Sequence, residues 1–315
     1  IGAAIVLTYT TFGGMFSVAI LDFVQISVIM GGLLYIASVV SGLAGGVGAV
    51  IEHAAAAGKL DLFPPPRLTE WVPFIGAWIT MMLGSIPQQD VFQRITSAKD
   101  ERTAVRGSLL GGTLYFGFCF VPMFLAYAAM LIDPGKFGGL LEQDSQLILP
   151  TLILQHTPLV AQIVFFGAVL SAVMSCSSAT LLAPSVALSE NVIRPALTRL
   201  NDSEFLRLMR VVLIGFAGVV LGIALWSDAT IYKLVVNTYE VTLVAAFVPL
   251  FAGLYWKRAT TQGALCAIAA GMTSWMGLEL FGSSESMWPP QLIGLLMAGA
   301  GMVVGSLATT STVRN

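Results

Sequence analysis

Long apolar segments recur along this chain, and they constrain its fold more than any other feature. A helix of about 20 residues crosses a hydrocarbon core of ~30 Å, and it satisfies its backbone hydrogen bonds internally. Eight segments have this length and composition: residues 16–43, 70–92, 105–131, 159–192, 207–226, 230–256, 262–281 and 289–309. Because 57% of the residues are hydrophobic and 10% are charged, we predict an all-α integral membrane protein with no soluble domain.

The first residues suggest a further, partial span. Residues 1–11 have the composition of a span that ends there, and residues 10–14 contain two glycines that predict a tight cytoplasmic turn. There is no initiator Met, charged leader region or cleavage site, so we expect the sequence to start inside a longer protein. The prediction is therefore one membrane domain over residues 1–315, with about eight complete transmembrane helices and one partial helix.

The basic residues indicate how the spans are oriented. Alternate loops carry 11 of the 15 Lys and Arg residues, and the opposite loops and outer span ends carry four. The positive-inside rule makes the basic-rich loops cytoplasmic. The basic loops are therefore a signal of topology, and they do not indicate a nucleic-acid partner. The lipid bilayer of a plasma membrane or a bacterial inner membrane is the expected location.

The segment at 70–92 is the least regular of the eight. Gly84 and Pro87 weaken its helical ladder, and the polar residues Gln88, Gln89 and Asp90 follow directly. Irregular backbone at membrane depth is tolerated where it is buried in protein or lines a cavity, and broken helices are typical of secondary transporters. The alternative is a proline kink whose polar residues already lie at the cytoplasmic surface.

A cluster of hydroxyl groups interrupts the apolar segment at 159–192. Its members are Ser171, Ser175, Ser177, Ser178 and Thr180. An unpaired polar group in hydrocarbon costs a few kcal/mol, so these hydroxyls need partners. Small hydroxyl residues are common where membrane helices pack closely, which is one interpretation. The other is that some of the oxygens coordinate an alkali cation, which prefers hard oxygen ligands.

Four carboxylates lie near or inside the predicted spans. Glu279 and Asp90 are close to span ends, where an interfacial position or a pairing with Arg94 explains them. Asp22 lies one to one and a half turns into its span, and Glu240 lies near the middle of its own. An ionisable group at membrane depth costs at least ~2.5 kcal/mol, so Asp22 and Glu240 are candidates for function.

No arrangement of residues indicates an enzyme. His53 and His156 are far apart, both in predicted outer loops, and no Ser, His and acid set or phosphate-binding glycine loop is present. Cys119, Cys176 and Cys266 lie in apolar segments without the spacing of a metal site. We therefore predict no catalytic residue, no cofactor and no bound metal other than a coupling sodium ion.

Several segments together resemble the sodium:solute symporter family. They occur in family order across nearly the whole chain: Tyr9–Gln25, Gly84–Arg94, Ser171–Ser175 and Gly253–Lys257. The resemblance implies the leucine-transporter-like inverted-repeat fold, in an N-terminally truncated form. Residues 1–45 would end the first repeat, residues 66–256 would form the second, and residues 257–315 would be accessory helices.

The resemblance also implies site residues. The sodium ligands of the family's eighth helix fall on the carbonyl of Ala172 and the side chains of Ser175 and Cys176. Cys176 departs from the family, which has a hydroxyl there, and a thiol is a poor ligand for a hard cation. Asp22 resembles a carboxylate linked to cation coupling.

The broken helix resembles the segment that meets the substrate, with Ser85, Gln88 and Gln89 as candidate residues. Within the family, the motifs are most similar to those of choline transporters, which carry an Asp at the position of Glu240, and Glu240 could balance a cationic solute. Those transporters carry a Trp at the position of Gln88, and an aromatic cage suits a quaternary ammonium group. The resemblance therefore does not extend to choline as the substrate.

The function implied is sodium-coupled symport of a small polar organic solute by alternating access. Two alternatives stay open at this point. Asp22 or Glu240 could couple transport to protons, or the chain could be a non-transporting sensor module of symporter type.

Overall fold

The computed structural model describes residues 2–197, 201–227, 230–282 and 287–312, and these contain helices and no β-strand. The α-helices are α1 Gly2–Leu43, α2 Val47–Ala56, α3 Leu68–Gly84, α4 Gln89–Thr96, α5 Glu101–Phe118, α6 Phe120–Ile132, α7 Pro134–Gln143, α8 Ile148–His156, α9 Leu159–Leu188, α10 Arg194–Ala196, α11 Asp202–Trp226, α12 Ile231–Thr242, α13 Val248–Tyr255, α14 Thr261–Phe281 and α15 Pro290–Thr312. The predicted all-α class is confirmed.

Seven helical stretches of the described chain are long and apolar enough to cross a membrane. They are Val18–Leu43, Glu101–Ile132, Leu159–Ala196, Asp202–Trp226, Ile231–Tyr255, Thr261–Phe281 and Pro290–Ala308. They correspond to seven of the eight predicted segments. The remaining segment, 70–92, is interrupted, because α3 ends at Gly84 and α4 begins at Gln89. The predicted break in this helix is therefore confirmed, and a kink in one continuous helix is excluded.

The predicted turn at residues 10–14 is wrong, and so is the separate partial span before it. The backbone of α1 is helical from Gly2 to Leu43, over 42 residues. A glycine in a helix costs roughly 1 kcal/mol relative to alanine, but packing overrides this preference. Val6, Thr10 and Val18 are buried and lie four and eight residues apart, so they share one face of the continuous helix.

The connecting segments contain more helix than the sequence predicts. Residues 134–156 contain α7, a 3₁₀ turn and α8. The acidic residues at 202–204 lie at the start of the spanning helix α11. Asn201 is the N-cap, and its side chain and that of Glu204 form a reciprocal capping box.

Two packed units make up the described chain. Unit 1 combines described residues of 1–61 and 93–227, and unit 2 combines those of 62–92 and 228–315. In unit 1, the outer half of α1 packs with α2, α6, α7, α8 and the start of α9, and the core includes Ile36, Leu125, Phe137, Leu152 and Phe165. A smaller cluster joins α1, α9 and α11 through Val18, Leu182 and Leu213.

Unit 2 is built around α14 and α15, which pack closely. A Cβ at Gly301 would lie 2.6 Å from the carbonyl oxygen of Cys266, so this approach requires glycine. Beside this pair, α12 and α13 are joined by a π-helical turn, Leu243–Phe247. Pro249 follows the turn, and a proline cannot donate to the carbonyl four residues earlier, so the widened turn accommodates it within one span.

Candidate functional site

A charged cluster in unit 1 joins three helices. Asp22 lies on α1, Ser175 lies on α9, and Arg94 lies near the end of α4. The Ser175 hydroxyl donates to Oδ1 of Asp22 at 2.6 Å, and the Arg94 guanidinium pairs with Oδ2 at 2.7 Å. Each carboxylate oxygen therefore has its own partner, and the negative charge is balanced by a cation.

Antiparallel packing of α1 on α9 positions this cluster. The Tyr9 hydroxyl donates to the Met174 carbonyl at 3.0 Å, and one face of α1 meets α9 further out, where Gly32 lies against Val164 and Ala168. These contacts lie before and after Asp22 along α1, so they fix the position of Asp22 along α9, opposite Ser175.

The charged cluster is only partly buried. The side chain of Asp22 is 21% exposed and that of Arg94 is 45% exposed. An ion pair in such a position is screened by salt and is weaker than a fully buried pair. The carboxylate is therefore held in place but can exchange its partner with a cation from solution.

The three residues predicted to bind sodium lie on one stretch of α9 and differ in their surroundings. Ala172 and Ser175 are partly buried, and Cys176 is exposed. Only Ser175 directs a hard oxygen toward Asp22. The Cys176 carbonyl accepts a hydrogen bond from the Thr180 hydroxyl at 2.8 Å.

Two other hydroxyls of the cluster are satisfied within α9. Ser178 is buried and donates to the Ser175 carbonyl at 2.9 Å, and Thr180 bonds to the carbonyl one turn earlier. Their partners are backbone groups of the same helix, so helix packing accounts for both. Helix packing therefore explains Ser178 and Thr180, whereas the Ser175 hydroxyl donates to the Asp22 carboxylate.

An uncharged cluster in unit 2 joins the broken helix to α12. The Thr242 hydroxyl lies 2.6 Å from the Gly84 carbonyl, the last carbonyl of α3, and Gln88 Nε2 donates to the same hydroxyl oxygen at 3.3 Å. A helix that ends leaves carbonyl groups without partners, and Thr242 satisfies one of them. The break is therefore held by a side chain of the opposite helix.

The two backbones meet closely at this point. A Cβ at Gly84 would lie 2.3 Å from the Tyr239 carbonyl oxygen, so a larger residue cannot be accommodated without moving α3 or α12. Glycine at this position is therefore required by the approach of α12.

The residues predicted to meet the substrate lie around this break. Gln88 contacts Thr242, and Ser85 donates within its own turn to the Met82 carbonyl at 3.0 Å. Gln89 is exposed at the start of α4. Glu240 lies on α12, partly buried, within electrostatic reach of Trp275 and Glu279 on α14.

Sequence reasoning missed two participants in these clusters. Arg94 was considered only as a partner for Asp90, and the structure pairs it with Asp22. Thr242 was not singled out, although it lies two residues after Glu240, and a threonine after an embedded carboxylate was the available signal. In the part of the chain that the structure describes, no three His, Cys, Asp or Glu side chains are grouped as a transition-metal site would require.

Comparisons with known proteins identify relatives of this chain. A profile of the sodium:solute symporter family matches residues 1–271. The human high affinity choline transporter 1 is 28% identical over 313 residues, which is 93% of this chain and 51% of that protein. The osmoregulated proline transporter OpuE of Bacillus subtilis is 27% identical and covers 99% of this chain and 62% of its own length. The chain thus spans about half to two thirds of these curated relatives.

A solved structure extends the comparison to the fold. A Na⁺-coupled sialic acid symporter in its substrate-bound, outward-open state superimposes with a TM-score of 0.79, at 16% identity, over 98% of this chain and 65% of that one. The leucine-transporter-like fold predicted from the sequence motifs is thereby confirmed.

Proposed function

Because the chain belongs to the sodium:solute symporter family, we propose that its protein is a secondary active transporter that couples sodium entry to uptake of a small polar organic solute. Residues 1–45 and 66–256 belong to the two repeats that alternate in access, and residues 257–315 are accessory helices. The relatives carry names of transporters and symporters. The protein acts in a lipid bilayer and is not an enzyme.

The contact between Ser175 and Asp22 is the observation that carries this proposal. The family resemblance assigns Ser175 as a sodium ligand and Asp22 as a coupling carboxylate. Ser175 Oγ and Asp22 Oδ1 lie 2.6 Å apart across 153 positions of sequence. A hydroxyl next to a carboxylate supplies hard oxygen atoms of the kind that an alkali cation prefers. This supports a path in which sodium bound by Ala172 and Ser175 passes to Asp22.

In this mechanism Arg94 takes the place of sodium when the ion leaves. The guanidinium neutralises Asp22 in the structure, so an arriving cation must displace it or share the carboxylate. Binding of the ion is then coupled to the position of α4, which is the second part of the broken helix. Cys176 contributes little, since its thiol is a poor sodium ligand.

The solute meets Ser85, Gln88, Gln89 and Glu240 at the broken helix. The break supplies amide and hydroxyl groups, and Glu240 supplies a carboxylate two residues before Thr242, the residue that bonds to the break. These groups suit a small molecule with polar or cationic groups. Relatives of this chain are named for choline and for proline, which are small polar organic molecules. The same class of solute is proposed here.

Replacement of Ser175 tests the sodium site. The Ser175→Ala variant loses one hydroxyl ligand, and a hydrogen-bonding group that acts on a charge contributes about 1.5–3 kcal/mol, so the apparent affinity for sodium should fall about tenfold or more. The readout is the sodium dependence of the unfolding temperature, together with sodium-driven uptake of radiolabelled proline and choline into proteoliposomes.

Thr180→Val is the matched control. Thr180 lies on the same helix and bonds only to carbonyls of its own helix, so its loss should leave the sodium response unchanged. A Ser175→Ala protein that inserts normally and keeps the full sodium response would contradict the ligand role.

Proton coupling is a second candidate, because Asp22 is an ionisable carboxylate that contacts Ser175 on the proposed ion path. Uptake into vesicles under a sodium gradient alone and under a pH gradient alone separates the two. Uptake that follows only the pH gradient, and is abolished in Asp22→Asn, would favour the proton.

A further inference from the structure

A cavity in unit 1 lies apart from both clusters. It is about 200 Å³ in volume and is enclosed by the first part of α1, the end of α9 and the start of α11. A cavity of ~10–15 Å³ holds one water molecule, so this cavity has room for a group much larger than water. Its end of the unit carries the basic segment that the positive-inside rule assigns to the cytoplasm.

Arg210 supplies a positive charge to this cavity. It lies about two turns into α11, its guanidinium stacks on the Phe12 ring at 5.3 Å, and its buried Nε has no hydrogen-bond partner among the described residues. An aromatic face compensates for only part of the hydration free energy that an ion loses on leaving water. The guanidinium is therefore available to an anion.

The carboxylates near this part of the chain are engaged elsewhere. Glu190 pairs with Arg194 at 2.7 Å, and Glu204 closes the capping box at Asn201. Asp202, at the first position of α11, acts on Arg194. Within the described chain these acidic groups leave the charge of Arg210 unmatched.

A buried hydroxyl faces the same cavity. Thr8 and Thr11 donate to carbonyls one turn earlier at 2.7 and 2.6 Å. Thr10 lies between them, is 1% exposed, lines the cavity, and makes no hydrogen bond within the described chain. An unpaired buried hydroxyl costs free energy, and an acceptor that enters the cavity would relieve this cost once the Thr10 side chain rotates toward it.

We propose that this cavity binds a phosphate group, with Arg210 and Thr10 as its donors. A guanidinium matches the geometry of phosphate oxygens, and a hydroxyl donor adds a second direction of contact. The apolar remainder of the wall, which includes Leu206 and Met209, suits a group delivered at the membrane surface. Either a phospholipid headgroup or free inorganic phosphate presents this chemistry.

The experiment uses the full-length protein in micelles of a maltoside detergent, which carries no phosphate, and follows its unfolding temperature. One arm adds potassium phosphate against potassium chloride at equal ionic strength and constant sodium. The other arm raises the fraction of phosphatidylglycerol without free phosphate. A saturable rise in the first arm identifies free phosphate, and a rise in the second arm alone identifies the lipid headgroup.

Arg210→Gln should weaken the apparent affinity about tenfold or more, since it removes a charge-assisted contact. Arg207→Gln is the control, because Arg207 is exposed, lies one turn earlier on α11 and carries the same charge. Thr10→Val keeps the charge and nearly the volume and should weaken binding about fivefold, which tests the site even if Arg210→Gln does not fold. No saturable rise in either arm, or an equal loss in Arg207→Gln, would overturn the proposal.

Discussion

The charged cluster of unit 1 and the uncharged cluster of unit 2 fix their helices in different ways. Asp22, Ser175 and Arg94 hold one carboxylate between two partners, and solvent reaches the pair. Thr242, Gln88 and the Gly84 carbonyl form a neutral set where two backbones are in near contact. The first arrangement contains the Asp22 carboxylate, whose partner Arg94 is replaced by a cation in the proposed mechanism. The second holds a broken helix in a fixed position.

This difference predicts that steric changes should act mainly on the uncharged cluster and charge changes mainly on the charged one. Salt and partner substitution should therefore distinguish the two regions, although both contain residues predicted to belong to the site.

The largest effect is expected from Gly84→Ala. The added Cβ would lie 2.3 Å from the Tyr239 carbonyl oxygen. Neither atom can rotate away, because the Cβ is fixed to the backbone of α3 and the oxygen belongs to the backbone of α12. Overpacking of this kind costs about 3 kcal/mol, so the unfolding temperature in detergent should fall strongly. Gly277→Ala is the control, since a Cβ there meets nothing within 4 Å and alanine favours a helix by about 1 kcal/mol. Equal stability of the two variants would mean that α3 and α12 are not in fixed contact.

An intermediate effect is expected from Asp22→Asn. The substitution removes the negative charge that Asp22 places against Arg94. The pair is intermediate between exposed pairs and buried ones, so we expect a loss of about 1–2 kcal/mol. Sodium-driven uptake should fall by a larger factor than the loss of folded protein accounts for, because the carboxylate also faces Ser175.

The double variant Asp22→Asn with Arg94→Gln distinguishes charge from position. Removing both charges should restore most of the lost stability but not the uptake. The stability difference between wild type and Asp22→Asn should also shrink as salt is raised, since the pair is partly exposed. A difference that salt does not change would show that the pair is shielded from solvent, which contradicts its partial exposure.

The features predicted correctly from the sequence are those set by local composition. Apolar length identified the spans, and Gly84 with Pro87 identified the break, because both act on the backbone of their own segment. The turn at residues 10–14 was predicted from local glycines and was wrong, since burial of Val6 and Thr10 against other helices favours a continuous α1.

The partners of the site could not be predicted for the same reason. Arg94 and Asp22 are 72 positions apart, and Thr242 and Gly84 are 158 apart. Such contacts depend on which faces of two helices meet, and a single sequence does not contain that information. The family motifs supplied Asp22 and Ser175 as separate candidates, and the fold brought them together.

The smallest effect is expected from Thr242→Val, and it tests whether the uncharged cluster depends on its hydroxyl or on its backbone contact. Valine keeps the shape but removes the donor to the Gly84 carbonyl and the acceptor for Gln88. Side-chain hydrogen bonds between membrane helices contribute about 0.6 kcal/mol on average and up to about 1.7. We therefore expect a loss of about 1 kcal/mol in thermal unfolding, well below that of Gly84→Ala. Thr238→Val, which loses only a bond to the Leu234 carbonyl of its own helix, should change less. Salt should change the stability of neither variant, because no charge is involved. If Thr242→Val lost as much stability as Gly84→Ala, the hydroxyl would be the main support of the break.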